Sequence, residues 1–206
     1  MLFRSCIGAV YPSKYTELYF KDLHPKMVSL FNDLGVKNGT LTISAFVEDS
    51  NIHLYDPGYR LQGEAQNIHI EELCGYDQKT MLIEFALGGS MGKVNLYDLI
   101  DYNFNGKHAA TLWLLSKAGQ IGSIEGLEEV STNKNTTKIV QRFFEGDIVL
   151  ENMLGTEAQV IARIYLKADT RESLLETIDY YVNNIKITDN KGYNMLLSML
   201  TTSELI

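Results

Sequence analysis

The segment Leu54-Tyr55-Asp56-Pro57-Gly58-Tyr59-Arg60-Leu61-Gln62-Gly63-Glu64 brings together residue types that handle metal ions and phosphates. A carboxylate closes an apolar strand, an arginine follows four residues later, and Gln62 and Glu64 lie behind it. In an extended chain alternate residues share a face, so Asp56, Gly58, Arg60, Gln62 and Glu64 would point into one space. Carboxylate oxygens suit Mg²⁺, which keeps several waters and bridges to nucleotide phosphates. An arginine fork suits a phosphate or a substrate carboxylate. Spacing alone favours a plainer reading, a solvated strand face with an incidental Asp–Arg pair, because Asp-Pro-Gly is a common turn.

Other reactive residues read as structural. His24, His53, His69 and His108 have no metal-ligand spacing and no cysteine partner nearby. Cys74 lacks a visible base to make it a thiolate. Trp113 falls in an apolar strand and reads as core, and Lys14 reads as a solvated loop lysine.

The elements that must position the hairpin follow from periodicity. Phe3 to Val10 reads as a strand. Leu18, Leu23, Met27, Leu30, Phe31 and Leu34 share a helical face between Tyr15 and Leu34, with Pro25 splitting the stretch and Gly35 stopping it. Thr40 to Val47 and Asn51 to Asp56 are strands joined by the polar turn Glu48-Asp49-Ser50-Asn51. A short helix covers Ile70 to Cys74. Asp77 caps a stronger one that runs through Leu87 and ends at Gly88-Gly89.

Leu96 to Gly106, rich in Asn, Asp and Gly, reads as a boundary. Beyond it, strands are expected at Ala109–Ser116, Gly119–Ile124, Lys138–Phe144, Ile148–Glu151, Ala158–Ala168 and Ile185–Ile187. A helix capped at Asp169-Thr170 covers Glu172–Asn183. The second half is therefore α+β with an antiparallel sheet.

The 206 residues allow one large domain or two small ones. Apolar content of 45% and charged content of 21% suit a globular chain with a normal core. A net charge of -8 and the absence of a concentrated basic face argue against nucleic acid. Two cysteines, Cys6 and Cys74, form no disulfide framework and point to a reducing, cytoplasmic setting. No apolar run approaches the ~20 residues of a membrane span.

The order of motifs resembles the ATP-grasp superfamily, whose members include biotin carboxylase and the carbamoyl-phosphate synthase large chain. The resemblance begins with Asn38-Gly39-Thr40, the following strand and turn, and Asp56-Pro57-Gly58-Tyr59-Arg60. Arg60-x-Gln62-x-Glu64 is similar to the biotin carboxylase branch. Cys74-Gly75-Tyr76-Asp77 and Ala86-Leu87-Gly88-Gly89 resemble the start and end of the family's next helix. Further on, Ala118-Gly119 through Gly126-Leu127, Phe144-Glu145-Gly146-Asp147 and Ala168-Asp169-Thr170 continue the likeness.

The resemblance implies an α+β fold. Residues 1–95 would form the second, C-terminal ATP-grasp subdomain, an antiparallel sheet with helices, and residues 96–206 a smaller antiparallel α+β domain. It implies ATP and Mg²⁺ as cofactors, both weak or absent for this portion alone, and ATP-dependent ligation of a small-molecule carboxylate to an amine or thiol through an acylphosphate. Residue by residue, Asp56 and Glu64 would hold the metal. Arg60 would be catalytic and contact the nucleotide phosphate or acyl carboxylate. Phe46 and Tyr55 would lie against adenine, although plain strand packing explains them equally well.

The chain also departs from the pattern. The first metal glutamate is replaced by Ser44 and the family asparagine by Gly58. No segment resembles the first ATP-binding subdomain, so the expected partner is an N-terminal ATP-grasp segment or the product of a split gene. Two readings remain, a ligase portion inactive by itself and a non-catalytic ATP-grasp-like binding or assembly subunit with a degenerate metal site. Nothing in the sequence separates a monomer from a homodimer.

Overall fold

Strand β1 (Gly8–Tyr11) opens the described chain. The computed structural model describes residues 6–91, 96 and 101–205. Residues 3–5 of the expected first strand, and residue 95 beside the expected domain boundary, lie outside them. Proline in the first turn of a helix costs no hydrogen bond, and Pro25 takes that place: α1 (Thr16–Asp22) stops before it and α2 (His24–Asp33) contains it. After α2 the chain turns at Gly35, where Val36 N–H donates to the Phe31 carbonyl at 2.9 Å.

Strands β2 (Thr42–Glu48) and β3 (Asn51–Gly58) form an antiparallel hairpin. Its turn residues Asp49 and Ser50 both have positive φ, 47° and 63°, as a tight two-residue turn matched to strand twist requires. Helix α3 (Asn67–Cys74) follows, then α4 (Gln78–Gly88). Asp77 caps α4 as expected, accepting from Lys79 N–H at 2.9 Å and from the Thr80 hydroxyl at 2.7 Å.

The remaining strands are β4 (His108–Leu115), β5 (Gly119–Glu125), β6 (Thr136–Gln141), β7 (Ile148–Val149), β8 (Val160–Ala168) and β9 (Lys186–Asp189). Helices α5 (Leu127–Ser131) and α6 (Arg171–Asn184) lie among them. One sheet has the order β1-β4-β8-β6 and a second β7-β5-β9, with every pairing antiparallel. The architecture is α+β with antiparallel sheets, as the sequence predicts.

Strand β4 explains where the core sits. Leu112 and Leu114 face a large cluster that includes Ile164, Leu174, Ile178 and Tyr181, while Trp113 and Leu115 face a smaller one with Val160. A strand covered on both faces reads as a continuous apolar run, and Leu112–Leu115 does.

The chain divides into two compact units. One spans Pro12–Asn105. The other joins the described residues up to Tyr11 to those from Gly106 onward, because β1 pairs with β4 (Val10 opposite Ala110). The divisions fall at 11/12 and 105/106. Pairing across about a hundred residues leaves no local sequence signal.

Candidate functional site

The hairpin β2–β3 brings Ser44 directly opposite Asp56. The resemblance implies paired metal carboxylates at these two positions; the ladder sets them opposite one another, and only Asp56 bears a charge. The register slips between Ser44 and Ala45, which leaves Tyr55 as an extra residue on β3. Such a bulge bends and twists the strand beside the site.

Tyr55 packs against Phe46. Their rings stack at a centroid distance of 4.6 Å and an angle of 16°, and both are exposed. An adenine base would meet the outer face of one ring, because the rings already cover each other.

The extended face predicted from Asp56 to Glu64 ends early. Strand β3 stops at Gly58; Arg60 follows in a bend, Gln62 in irregular chain and Glu64 in a turn. Gly39 helps set this path. Its φ is +119°, and a Cβ there would sit 2.1 Å from the Tyr59 hydroxyl, so only glycine lets Tyr59 lie across this backbone. Gly39 N–H also meets the Met91 sulfur at 2.8 Å. The Thr42 hydroxyl donates to the Arg60 carbonyl at 3.3 Å and ties the segment back to β2.

The side chains there divide into two groups. Gln62 donates its amide to the Glu64 carboxylate, and both are partly buried. Asp56 and Arg60 are exposed and, among the described residues, form no ion pair with each other. The incidental Asp–Arg pair of the plainer reading is not formed. One Arg60 guanidinium nitrogen donates to the Leu61 carbonyl at 3.1 Å.

The donor chemistry bears on magnesium. Among the described residues no group of three His, Cys, Asp or Glu side chains is arranged to hold a metal. The Glu64 carboxylate already accepts from Gln62, while the exposed Asp56 carboxylate is the kind of oxygen donor that suits a magnesium keeping its waters and leaning on nucleotide phosphates. It does not fit a cage that holds a free ion.

The other reactive residues behave structurally. Burial and the Asp101 carboxylate push the Cys74 thiol up, away from thiolate character. His24 packs against the Tyr19 and Phe20 rings. His69 is buried, and that burial lowers its pKa to about 4. The Lys14 ammonium lies 5.5 Å above the Tyr15 ring. Trp113 is core, as expected. Sequence reasoning missed Asn67, which is buried at the start of α3. An asparagine in a first helical turn reads as a solvent-facing cap, and only the fold shows it covered.

No protein-family model matches the sequence, and no curated protein matches it. Solved structures do. Phosphoribosylglycinamide synthetase from Anaerococcus prevotii superposes with a TM-score of 0.69 at 15% identity, over 89% of this chain and 45% of its own. L-amino acid ligase from Bacillus licheniformis gives 0.70 at 14%, over 91% and 45%. The biotin carboxylase domain of Hydrogenobacter thermophilus 2-oxoglutarate carboxylase, solved with MgADP and bicarbonate, gives 0.61 at 13%, over 89% and 40%. The chain thus carries part of an ATP-grasp fold and spans less than half the length of these structures.

Proposed function

We propose that this chain is the metal-hairpin portion of an ATP-dependent carboxylate–amine (or thiol) ligase that works through an acylphosphate. The observation that carries the reading is the Ser44–Asp56 ladder pair, within a fold shared with ligases and a biotin carboxylase. Asp56 and Glu64 hold magnesium together with the nucleotide phosphates. Bound Mg·ATP supplies the phosphoryl group and neutralises its charge during transfer. Arg60, exposed and unpaired with Asp56, holds a phosphate oxygen or the acyl carboxylate through its fork. Phe46 and Tyr55 offer an aromatic face to adenine. The remaining nucleotide contacts come from an N-terminal ATP-grasp segment, in the same reading frame or from a split-gene partner.

ADP release is the test, measured with a panel of amino acids, for the chain alone and together with that segment. The expected result is turnover only in combination, falling at least about a hundredfold in Asp56→Ala, equivalent to roughly 3 kcal/mol of charge stabilisation. No turnover with any substrate, with Asp56→Ala changing nothing, refutes the reading. It would favour a non-catalytic binding or assembly subunit, which Ser44 and Gly58 at ligand positions also suit.

A further inference from the structure

Beside the hairpin lies a cavity of about 360 Å³ to which the proposed ligase reading assigns no ligand. Its polar lining includes Thr40, Ser44, Gln62, Gln66, Asn67 and Gln78. Every one of these is a neutral hydroxyl or carboxamide. Leu41, Ile43, Leu61 and Ile70 supply aliphatic wall between them.

Asn67 indicates what the cavity lacks. The residue is only 4% exposed, and its side-chain nitrogen has no hydrogen-bond partner among the described residues. A buried amide donor left unpaired costs about 1–3 kcal/mol, so a donor kept at a cavity wall calls for an acceptor inside. Among the described residues no charged side chain lines the space, which disfavours a phosphate, a carboxylate or a cation, since each needs a counter-charge when desolvated. The side-chain oxygens of Ser44, Gln66 and Gln78 can in turn accept from a donor on the ligand.

The geometry points to a binding site for a small primary carboxamide on a short aliphatic stem. Its carbonyl oxygen takes the Asn67 N–H, its NH₂ donates to the hydroxyl and amide oxygens, and its stem lies on the leucine and isoleucine wall. A polyol fits worse, because hydroxyls along its whole length would face those aliphatic groups unpaired. Binding depends on the cavity alone. The further step, that the bound carboxamide is a substrate delivered next to Ser44 and Asp56, rests on the ligase reading.

Nitrogen-15 NMR of the full chain, without ATP, separates the two claims, with propionamide, propionate and glycerol as probes. Propionamide is expected to shift the Asn67 side-chain signals, and propionate and glycerol are not. Asn67→Leu should weaken propionamide binding about tenfold, the loss of one buried hydrogen bond. Gln78→Met at the start of α4 provides a second readout, weakening binding severalfold, should Asn67→Leu fail to fold. Absence of any propionamide shift means that the cavity holds water alone and overturns the proposal. So does an equal response to propionate or glycerol, or unchanged binding in a folded Asn67→Leu. None of these outcomes bears on ADP release, so either proposal can fail without the other.

Discussion

His69 on α3 is 2% exposed, and burial holds its pKa at about 4 against the ordinary 6.5. The sign follows from where the proton binds. The unfolded chain takes up a proton as pH falls through about 6.5, while the folded chain resists until about 4. Stability contributed by neutral His69 is therefore complete above the unfolded value and lost as pH falls through this window. A fall from 6.5 to about 4 corresponds to a total loss of about 3 kcal/mol, of which about 2 is already gone at pH 5. Carboxylates titrate over part of the same range, so the measurement is a difference. Urea unfolding, followed through the α3 amide signals, is compared at pH 7 and pH 5 for the parent and His69→Gln, which cannot titrate. The parent should lose about 2 kcal/mol more than the variant over this interval. Parallel losses, or a His69 ring that titrates near 6.5 by NMR, would refute the reasoning. Because α3 also carries Asn67, the neutral cavity wall should loosen over the same pH interval.

Two further substitutions probe the hairpin. Gly39→Ala forces a Cβ to 2.1 Å from the Tyr59 hydroxyl at a φ of +119°, and should cost about 2–3 kcal/mol by urea unfolding. In a Tyr59→Ala background only the backbone strain remains, about 1 kcal/mol, and an unchanged cost there would show that Tyr59 is not the obstacle. Ser44→Glu combined with Gly58→Asn restores the ligand types of the family pattern. A Cβ at Gly58 meets nothing closer than 3.7 Å, and Ser44 lies opposite Asp56 on the wall of the cavity beside the hairpin. Manganese binding with ATP present, read by water proton relaxation, should tighten at least about tenfold, since added ligand charge sets affinity at oxygen sites. Unchanged affinity would mean that the hairpin does not face a metal.

The local signals in the sequence were legible. Pro25 divides α1 from α2, Asp77 caps α4 through its own side chain, and the Asp49-Ser50 turn sets the hairpin register as far as Ala45 opposite Leu54. Each depends on residues within a few positions of one another, where backbone preference and a single hydrogen bond decide. Three features depend on distant partners and were not legible. β1 finds its place by pairing with β4 about a hundred residues away. The alternation read from Asp56 to Glu64 assumes an extended chain, and packing of Tyr59 over Gly39 belongs to a different path. Asn67 is an ordinary polar residue until α3 and the hairpin close around it.

The same distinction bears on the chemistry of the hairpin. Its geometry is specified by turn, bulge and register, none of which needs a metal, so the fold tolerates Ser44 and Gly58 without penalty. A retained hairpin therefore says little about a retained magnesium site. What argues for function is the exposure of groups that a purely structural strand would pair or dispense with. Asp56 and Arg60 stand near one another in sequence and form no ion pair, though an exposed pair would cost little to make. An exposed carboxylate and an exposed guanidinium that form no ion pair with each other, at the end of an aromatic-bearing hairpin, suit ligands that arrive from outside it. If the repaired variant gains metal while the parent still requires Asp56 for turnover, the present residues are a reduced but working set. If it gains metal and the parent shows no dependence on Asp56, the hairpin has kept the geometry of the site and lost its chemistry.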